Sequence, residues 1–292
     1  MTGPDTRGLD RRVNAFRPDL ADIRLQGRVE AARFTAGRRA RVAAPVLDLR
    51  SAPSADAGLD SQLLLGDEVT VFDEADGFAW VQAARDSYVG YVPAAGLAPE
   101  GPAPGHVVAV PRTFLYREPD MKRPAIAALS IGSRLTVTGT TTTRGTDYAV
   151  LETGEAVVAA HLRSAGAAAD DYVAVAETLE RTPYLWGGAS GFGVDCSGLV
   201  QLGVRMAGRQ APRDTDMQAA SLGRPLAFGD DLEGLERGDL VFWKGHVAIM
   251  LDGEAIIHAS GHAMMVVREP LREAVGRIAR LYGRPTGFRR PG

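Results

Sequence analysis

Residues 184–199 constrain this chain more than any other stretch. They read Tyr-Leu-Trp-Gly-Gly-Ala-Ser-Gly-Phe-Gly-Val-Asp-Cys-Ser-Gly-Leu and hold the only cysteine, Cys196. Apolar residues then recur at Leu199, Val200, Val204, Met206 and Ala207, up to Gly208. That is the pattern of a glycine-rich loop feeding a helix, with Gly208 as its stop. Asp195 stands at the N-cap position, so Cys196 falls in the first turn. Unpaired N–H groups and the helix dipole there favour a thiolate and can hold a developing oxyanion. Cys196 is therefore a candidate nucleophile in need of a base.

The 292 residues suffice for two or three domains, and a net charge of −3 argues against nucleic acid as a partner. A single cysteine allows no internal disulfide, which fits a reducing compartment. The polar start of the chain has no apolar run behind it, and no stretch of eighteen apolar residues follows anywhere. The expectation is a cytoplasmic protein with no secretory signal and no membrane partner. Residues 1–40 form an Arg- and Asp-rich arm packed on a neighbouring domain, with a turn into a short helix near Arg17 and Pro18 and with solvated charges.

Residues 41–163 contain a repeat. In the first copy (41–98), alternating segments at 46–53, 62–71, 79–83 and 89–93 are separated by turn residues. In the second (105–163), segments at 113–119, 128–137, 148–152 and 156–160 follow in the same order, after a Pro/Gly linker at 99–105. Short alternating strands of this kind predict two small antiparallel barrels.

The remainder, 165–292, predicts an α+β domain: a helix at 172–179, the nucleophile helix, then strands at 240–243, 246–251, 255–259, 265–268 and 278–282. A three-residue turn at 251–253 sets Met250 opposite Glu254 and therefore His246 opposite His258, on one face of the hairpin. Cys196, His246 and His258 then form a nucleophile, a base paired with it as thiolate and imidazolium, and an orienting group.

These blocks carry a resemblance. The Tyr184-x-Trp-Gly-Gly segment, Asp195 to Gly198, and the Pro-Arg-Asp-Thr-x-x-Gln run from Pro212 to Gln218 resemble the NlpC-type, papain-like cell-wall cysteine peptidases. So do the segments containing Gly238 and Asp239, Gly245 and His246, and Ile257 and His258. The two repeat copies resemble bacterial SH3-like domains, the second divergently. The implied architecture is an α+β papain-like catalytic domain preceded by two small all-β SH3-like barrels. The implied catalytic residues are Cys196, His246 and His258, with Tyr184 beside the oxyanion site. The subgroup with two such barrels cuts the bond between γ-D-glutamate and a diamino acid in peptidoglycan stem peptides bearing a free N-terminal L-alanine. It needs no metal or organic cofactor. By that resemblance Asp195, Ser197 and Asp214 bind the amine and stem backbone, Trp186 walls the pocket, and Tyr88 reaches over from the first barrel. Asp67, with Glu68 as its rival, is the barrel's acidic contribution. The wider role implied is cell-wall recycling.

Other readings stand beside this one. Cys, His and His suit zinc, but their spacing matches no compact zinc motif. A wall-binding protein with an idle third domain and a thioester-forming acyltransferase on the same fold are the functional rivals. The sequence leaves lysine against diaminopimelate, and the oligomeric state, open.

Overall fold

The computed structural model describes residues 8–227 and 232–292. The first barrel is a seven-stranded antiparallel sheet in the spatial order Leu59–Leu64, Val46–Arg50, Val89–Pro93, Phe78–Ala83, Glu68–Ala75, Arg38–Val42 and Leu97–Pro99. Its alternation buries Leu47, Leu49, Leu63, Val69, Val71 and Val81 in one core. The strand Arg38–Val42 extends three residues into the segment expected to be arm.

The arm itself adds no helix at 17–21. Leu20–Asp22 is instead a short strand paired in parallel with Arg33–Thr35. One 3₁₀ turn follows, Ile23–Leu25, capped by the Asp22 side chain accepting from Arg24 N–H. Ala15 and Leu20 pack on Phe72 and Trp80, which docks the arm on the barrel.

Residues 106–164 fold as a three-stranded sheet centred on His106–Val108 and a five-stranded sheet centred on Ala156–Val158. Val108, Leu129, Leu135, Leu151 and Val157 fill the space within this unit. Both this unit and the first barrel close with a strand, one 3₁₀ turn and a second strand: Val89–Pro93 to Leu97–Pro99, and Ala156–Val158 to Leu162–Ser164. That ending is shared by the two stretches, although the second folds as two separate sheets rather than one.

The third unit sets helices α1 (Tyr172–Thr178), α2 (Cys196–Met206) and α3 (Thr215–Ser221) before most of a six-stranded sheet. The sheet order is Arg224–Leu226, Gly287–Arg290, Leu240–Trp243, His246–Met250, Ala255–Ser260 and Met265–Pro270. Helix α2 starts at its Asp195 cap, whose side chain accepts from Gly198 N–H at 2.7 Å, and stops at Gly208 with φ +73°. Its apolar face packs on Val247, Ile249, Ile257 and Ala259.

Residues 278–282 are not a strand. They are the end of α4 (Leu271–Tyr282), which begins after Pro270 and covers the opposite face of the sheet with Leu271, Ala274 and Ile278. The i, i+3, i+7 spacing of those three outweighs the short apolar run at its end. The edge-side strands Arg224–Leu226 and Gly287–Arg290 are only three and four residues long and gave no alternating signal.

Candidate active site

The two histidines meet, but through a different register from the expected one. The turn lies one residue later than expected: Leu251 N–H donates to the Ala255 carbonyl at 2.8 Å, Met250 pairs with Ile256 and Ile249 with Ile257. Asp252 organises the turn by accepting from the N–H groups of Glu254 and Ala255, each at 2.8 Å. The register moves by two residues, so His246 and His258 are diagonal rather than directly opposed. An even shift keeps them on the same face, where diagonal side chains remain within reach of one another. The rings cross edge to face, and His246 Nε2 lies 2.7 Å from His258 Nδ1.

Behind them stands a residue the sequence reading left out. Glu269 Oε1 lies 2.6 Å from His258 Nε2 and is also bonded by Arg277 of α4. Burial works against the Glu269 charge, but the bonds from His258 and Arg277 prevail and hold its pKa at about 2. An ionised Glu269 can only accept. His258 therefore donates from Nε2 and accepts at Nδ1, and His246 donates from Nε2. The lone pair of His246 is thereby left on Nδ1. Replacing Glu269 by Ala is expected to lower kcat by about ten- to a hundredfold, part of the general-base contribution. Glu269→Gln, which can still accept, should retain most of the rate. Steady-state kinetics of the two variants checks this.

Cys196 Sγ sits at the tip of α2, 3.7 Å from Thr215 Oγ1 and 3.9 Å from the carbonyl oxygen of Gly245, the residue before His246. Burial, seconded by the Asp195 carboxylate, pushes the Cys196 thiol up to about 11. Burial above all pushes His246 down to about 3. In both groups burial is the largest cause, and it favours the uncharged form, thiol and imidazole. The acid limb of kcat/KM should accordingly lie well below the ordinary histidine value of about 6.5. Linkage has the same direction. Between about 6.5 and about 3 the unfolded chain binds a proton at His246 that the fold refuses. Stability is lost as the pH falls through that window. A pH–rate profile and acid titration of the fold check both.

The N–H groups of Cys196 and Ser197 have no intrahelical acceptor. Half-buried Tyr184 lies on the same cavity wall, its phenol kept protonated by burial and by Cys196 and Asp195. Unpaired N–H groups at a helix tip are donors of the kind that can hold an oxyanion.

Asp195 and Ser197 line the cavity, but their polar atoms are already engaged. Arg213, 1% exposed, grips Asp195 with both terminal nitrogens, at 3.0 and 2.6 Å, and donates to Ser197 Oγ at 2.9 Å and Ser61 Oγ at 3.0 Å. Asp195 also accepts from Gly187 N–H at 3.0 Å. This pair fixes the nucleophile loop rather than presenting a free carboxylate. Arg213→Leu leaves the buried Asp195 without its cation and should cost about 3–5 kcal/mol of stability, readable in urea unfolding.

Asp214 is the acid that faces the cavity. Its Oδ2 accepts from Tyr88 OH at 2.9 Å and from Arg12 of the arm at 2.8 Å. The arm's charges are therefore not all solvated. Of the first barrel's acids it is Asp60, and not Asp67, that lines this cavity. Asp60 lines the cavity and makes no hydrogen bond among the described residues, and burial beside Asp214 raises its pKa. Its placement follows from the docking of the strand Leu59–Leu64 on the glycine-rich loop. Gly187, at φ +73°, brings the loop against the Leu59 carbonyl, where a Cβ would lie 2.5 Å from that oxygen. Gln62 Oε1 also accepts from Ala189 N–H at 3.2 Å. Asp67, by contrast, is buried in a tight turn under Arg85 and Arg205 and lines a different cavity, and exposed Glu68 pairs with Arg41. Trp186, 72% exposed, stands on the wall of the cleft, a cavity of about 770 Å³. Among the described residues no group of three or more His, Cys, Asp and Glu is arranged to hold a metal ion, and no helix is long and apolar enough to cross a membrane.

Comparison with known proteins agrees with this geometry. Residues 49–97 match the bacterial dipeptidyl-peptidase Sh3 domain and residues 181–277 the NlpC/P60 family. A gamma-D-glutamyl-L-lysine dipeptidyl-peptidase of Bacillus cereus is 30% identical over 237 residues, 69% of this chain and 67% of that protein. Dipeptidyl-peptidase 6 of Lysinibacillus sphaericus is 27% identical over 202 residues, 65% of this chain and 66% of that protein. The crystal structure of an NlpC/P60 family protein from Bacillus cereus superposes with a TM-score of 0.70 at 24% identity, over 86% of this chain and 99% of the other. With its barrel, its cysteine-tipped helix and relatives aligned across both, this chain belongs to the NlpC/P60 family and is a cysteine peptidase.

Proposed function

We propose that this peptidase hydrolyses the γ-D-glutamyl–diamino acid bond of peptidoglycan stem peptides that begin with a free L-alanine, releasing the L-Ala-D-Glu dipeptide during cell-wall recycling in the cytoplasm. The observation that carries the reading is the pair Asp60 and Asp214 at the barrel end of the cleft, with Tyr88 bonded to the second. Two partly buried carboxylates, one of them with no hydrogen bond among the described residues, are suited to an ammonium group, which needs charged partners to leave water. The first barrel closes that end, so a chain extended beyond the alanine would clash.

Cys196 Sγ attacks the γ-carbonyl carbon as its proton passes to His246 Nδ1. The oxyanion rests on the N–H groups of the helix tip and on Tyr184. His246 then protonates the leaving amine of the diamino acid, and water, deprotonated by the same nitrogen, cleaves the thioester.

Calorimetric titration of the Cys196→Ala protein tests the pocket apart from the chemistry. L-Ala-γ-D-Glu-diaminopimelate should bind at least about a hundredfold more tightly than its N-acetylated copy, the scale of a buried charge left unpaired. Equal affinities would refute the amine pocket.

A further inference from the structure

A second cavity, of about 450 Å³, lies where the first barrel, the second β unit and the far end of α2 meet. Arg85, Arg134, Arg163, Arg205 and Arg209 line it, against only two acids, Asp67 and Glu68. The acids are committed. Asp67 is shared by Arg85 and Arg205, and Glu68 pairs with Arg41 outside the cavity. Asp86, just outside, adds a second partner to Arg85.

Three guanidinium groups then make no ion pair with a carboxylate among the described residues, although Arg134 lies near enough to Asp67 to help lower its pKa. Arg134 is exposed and makes no side-chain hydrogen bond there. Arg209 has only the face of the Tyr172 ring. Arg163 donates to the Met206 carbonyl, and its Nε is buried with no acceptor at all. Burial disfavours the Arg205 charge, and Arg85 and Arg134 disfavour it further. Like charges gathered in a partly enclosed space cost stability unless an anion joins them, and a buried donor without an acceptor adds to that cost. Gly66, at φ +82°, brings the first barrel against the Arg134 backbone, where a Cβ would meet the carbonyl oxygen at 2.4 Å. The cations therefore come from units packed closely together.

We infer that this cavity binds a small ligand through a diphosphate group, clamped by Arg134, Arg163 and Arg209 and bridging the three structural units. Planar guanidinium forks match phosphoryl oxygens. A diphosphate, with several ionised oxygens on two phosphoryl groups, offsets the charge of three guanidinium groups that make no ion pair. The cavity volume falls in the range of small-molecule sites. The site is separate from Cys196 and does not depend on the peptide proposed as substrate. Free pyrophosphate and a nucleoside diphosphate share this chemistry.

The test is thermal unfolding and calorimetry of the full chain with pyrophosphate, with ADP, and with sulfate at matched ionic strength. Wild type is compared with Arg134→Gln, with Arg134→Gln/Arg163→Gln and with Cys196→Ala. Pyrophosphate at about a hundred times its Kd should raise Tm by several degrees, sulfate should not, and Cys196→Ala should respond like wild type. The double variant should lose the shift. Arg134 is exposed, so the single variant keeps the fold and should weaken binding by about tenfold or more. Tighter binding of ADP than of pyrophosphate would assign the site to a nucleoside-linked diphosphate, and equal binding to the free ion. A rise no larger than that with sulfate, binding of ADP without pyrophosphate, or an undiminished affinity in Arg134→Gln would overturn the proposal.

Discussion

Replacing Asp60 by alanine is expected to lower kcat/KM for a stem peptide with a free L-alanine amine by about 30-fold or more, mostly through KM. Asp60 makes no hydrogen bond among the described residues, and burial, then the Asp214 charge, raise its pKa while Arg213 acts against them. An ammonium group placed between it and Asp214 supplies the missing charge, and truncating one partner of such a pair costs about 2 kcal/mol or more. The loss should be confined to free-amine substrates: an N-acetylated peptide, already a poor substrate, should be cut no more slowly by the variant. The fold should be unharmed, or slightly steadier, because removing an unpaired acid takes away a desolvation cost. Equal loss on both peptides would contradict the assignment.

Replacing Cys196 by alanine is expected to abolish turnover, with a loss of about 10⁴-fold or more, as when a covalent nucleophile is removed from a set acting as a unit. Peptide affinity should persist, since the proposed amine pocket is built from side chains of the barrel and Asp214, not from the thiol. The same variant in iodoacetamide labelling should show no modified residue, because Cys196 is the only cysteine. In the wild type, the thiol raised to about 11 should make labelling at neutral pH slow until the substrate end of the site is engaged.

Several parts of this site were legible in the sequence for physical reasons. The glycine-rich loop, the Asp195 cap and the Gly208 stop are local signals, and α2 starts and ends where they predict. The histidine pair came through an error in the turn because strand geometry has a period of two: a two-residue slip changes partners but not faces. Glu269 escaped because it lies on a third strand, whose register no turn signal defined. In the fold Ile256 pairs with Glu269 and His258 with Val267, which sets Glu269 diagonal to His258 on the same face. A charged residue alternating with Val267 toward a covered face was the available clue. Asp60 and Arg12 escaped for another reason. Their positions depend on how the barrel and arm dock on the catalytic unit, and no periodicity within either segment encodes that. Asp67 was misplaced because an acid next to a strand start reads the same whether it faces a cleft or caps a buried turn. Only the two arginines around it distinguish the cases. Arg213, in plain view within the Pro-Arg-Asp-Thr run, was passed over because a surface arginine is the ordinary expectation. Its burial against Asp195 is a tertiary fact.

The most direct test of the account is mass spectrometry of the products from L-Ala-γ-D-Glu-diaminopimelate, run beside its N-acetylated copy and beside the Cys196→Ala protein. The account predicts L-Ala-D-Glu and free diaminopimelate from the free-amine peptide alone, and nothing from the variant. Equal cleavage of the acetylated peptide, or cleavage at any bond other than the γ-D-glutamyl one, would contradict it.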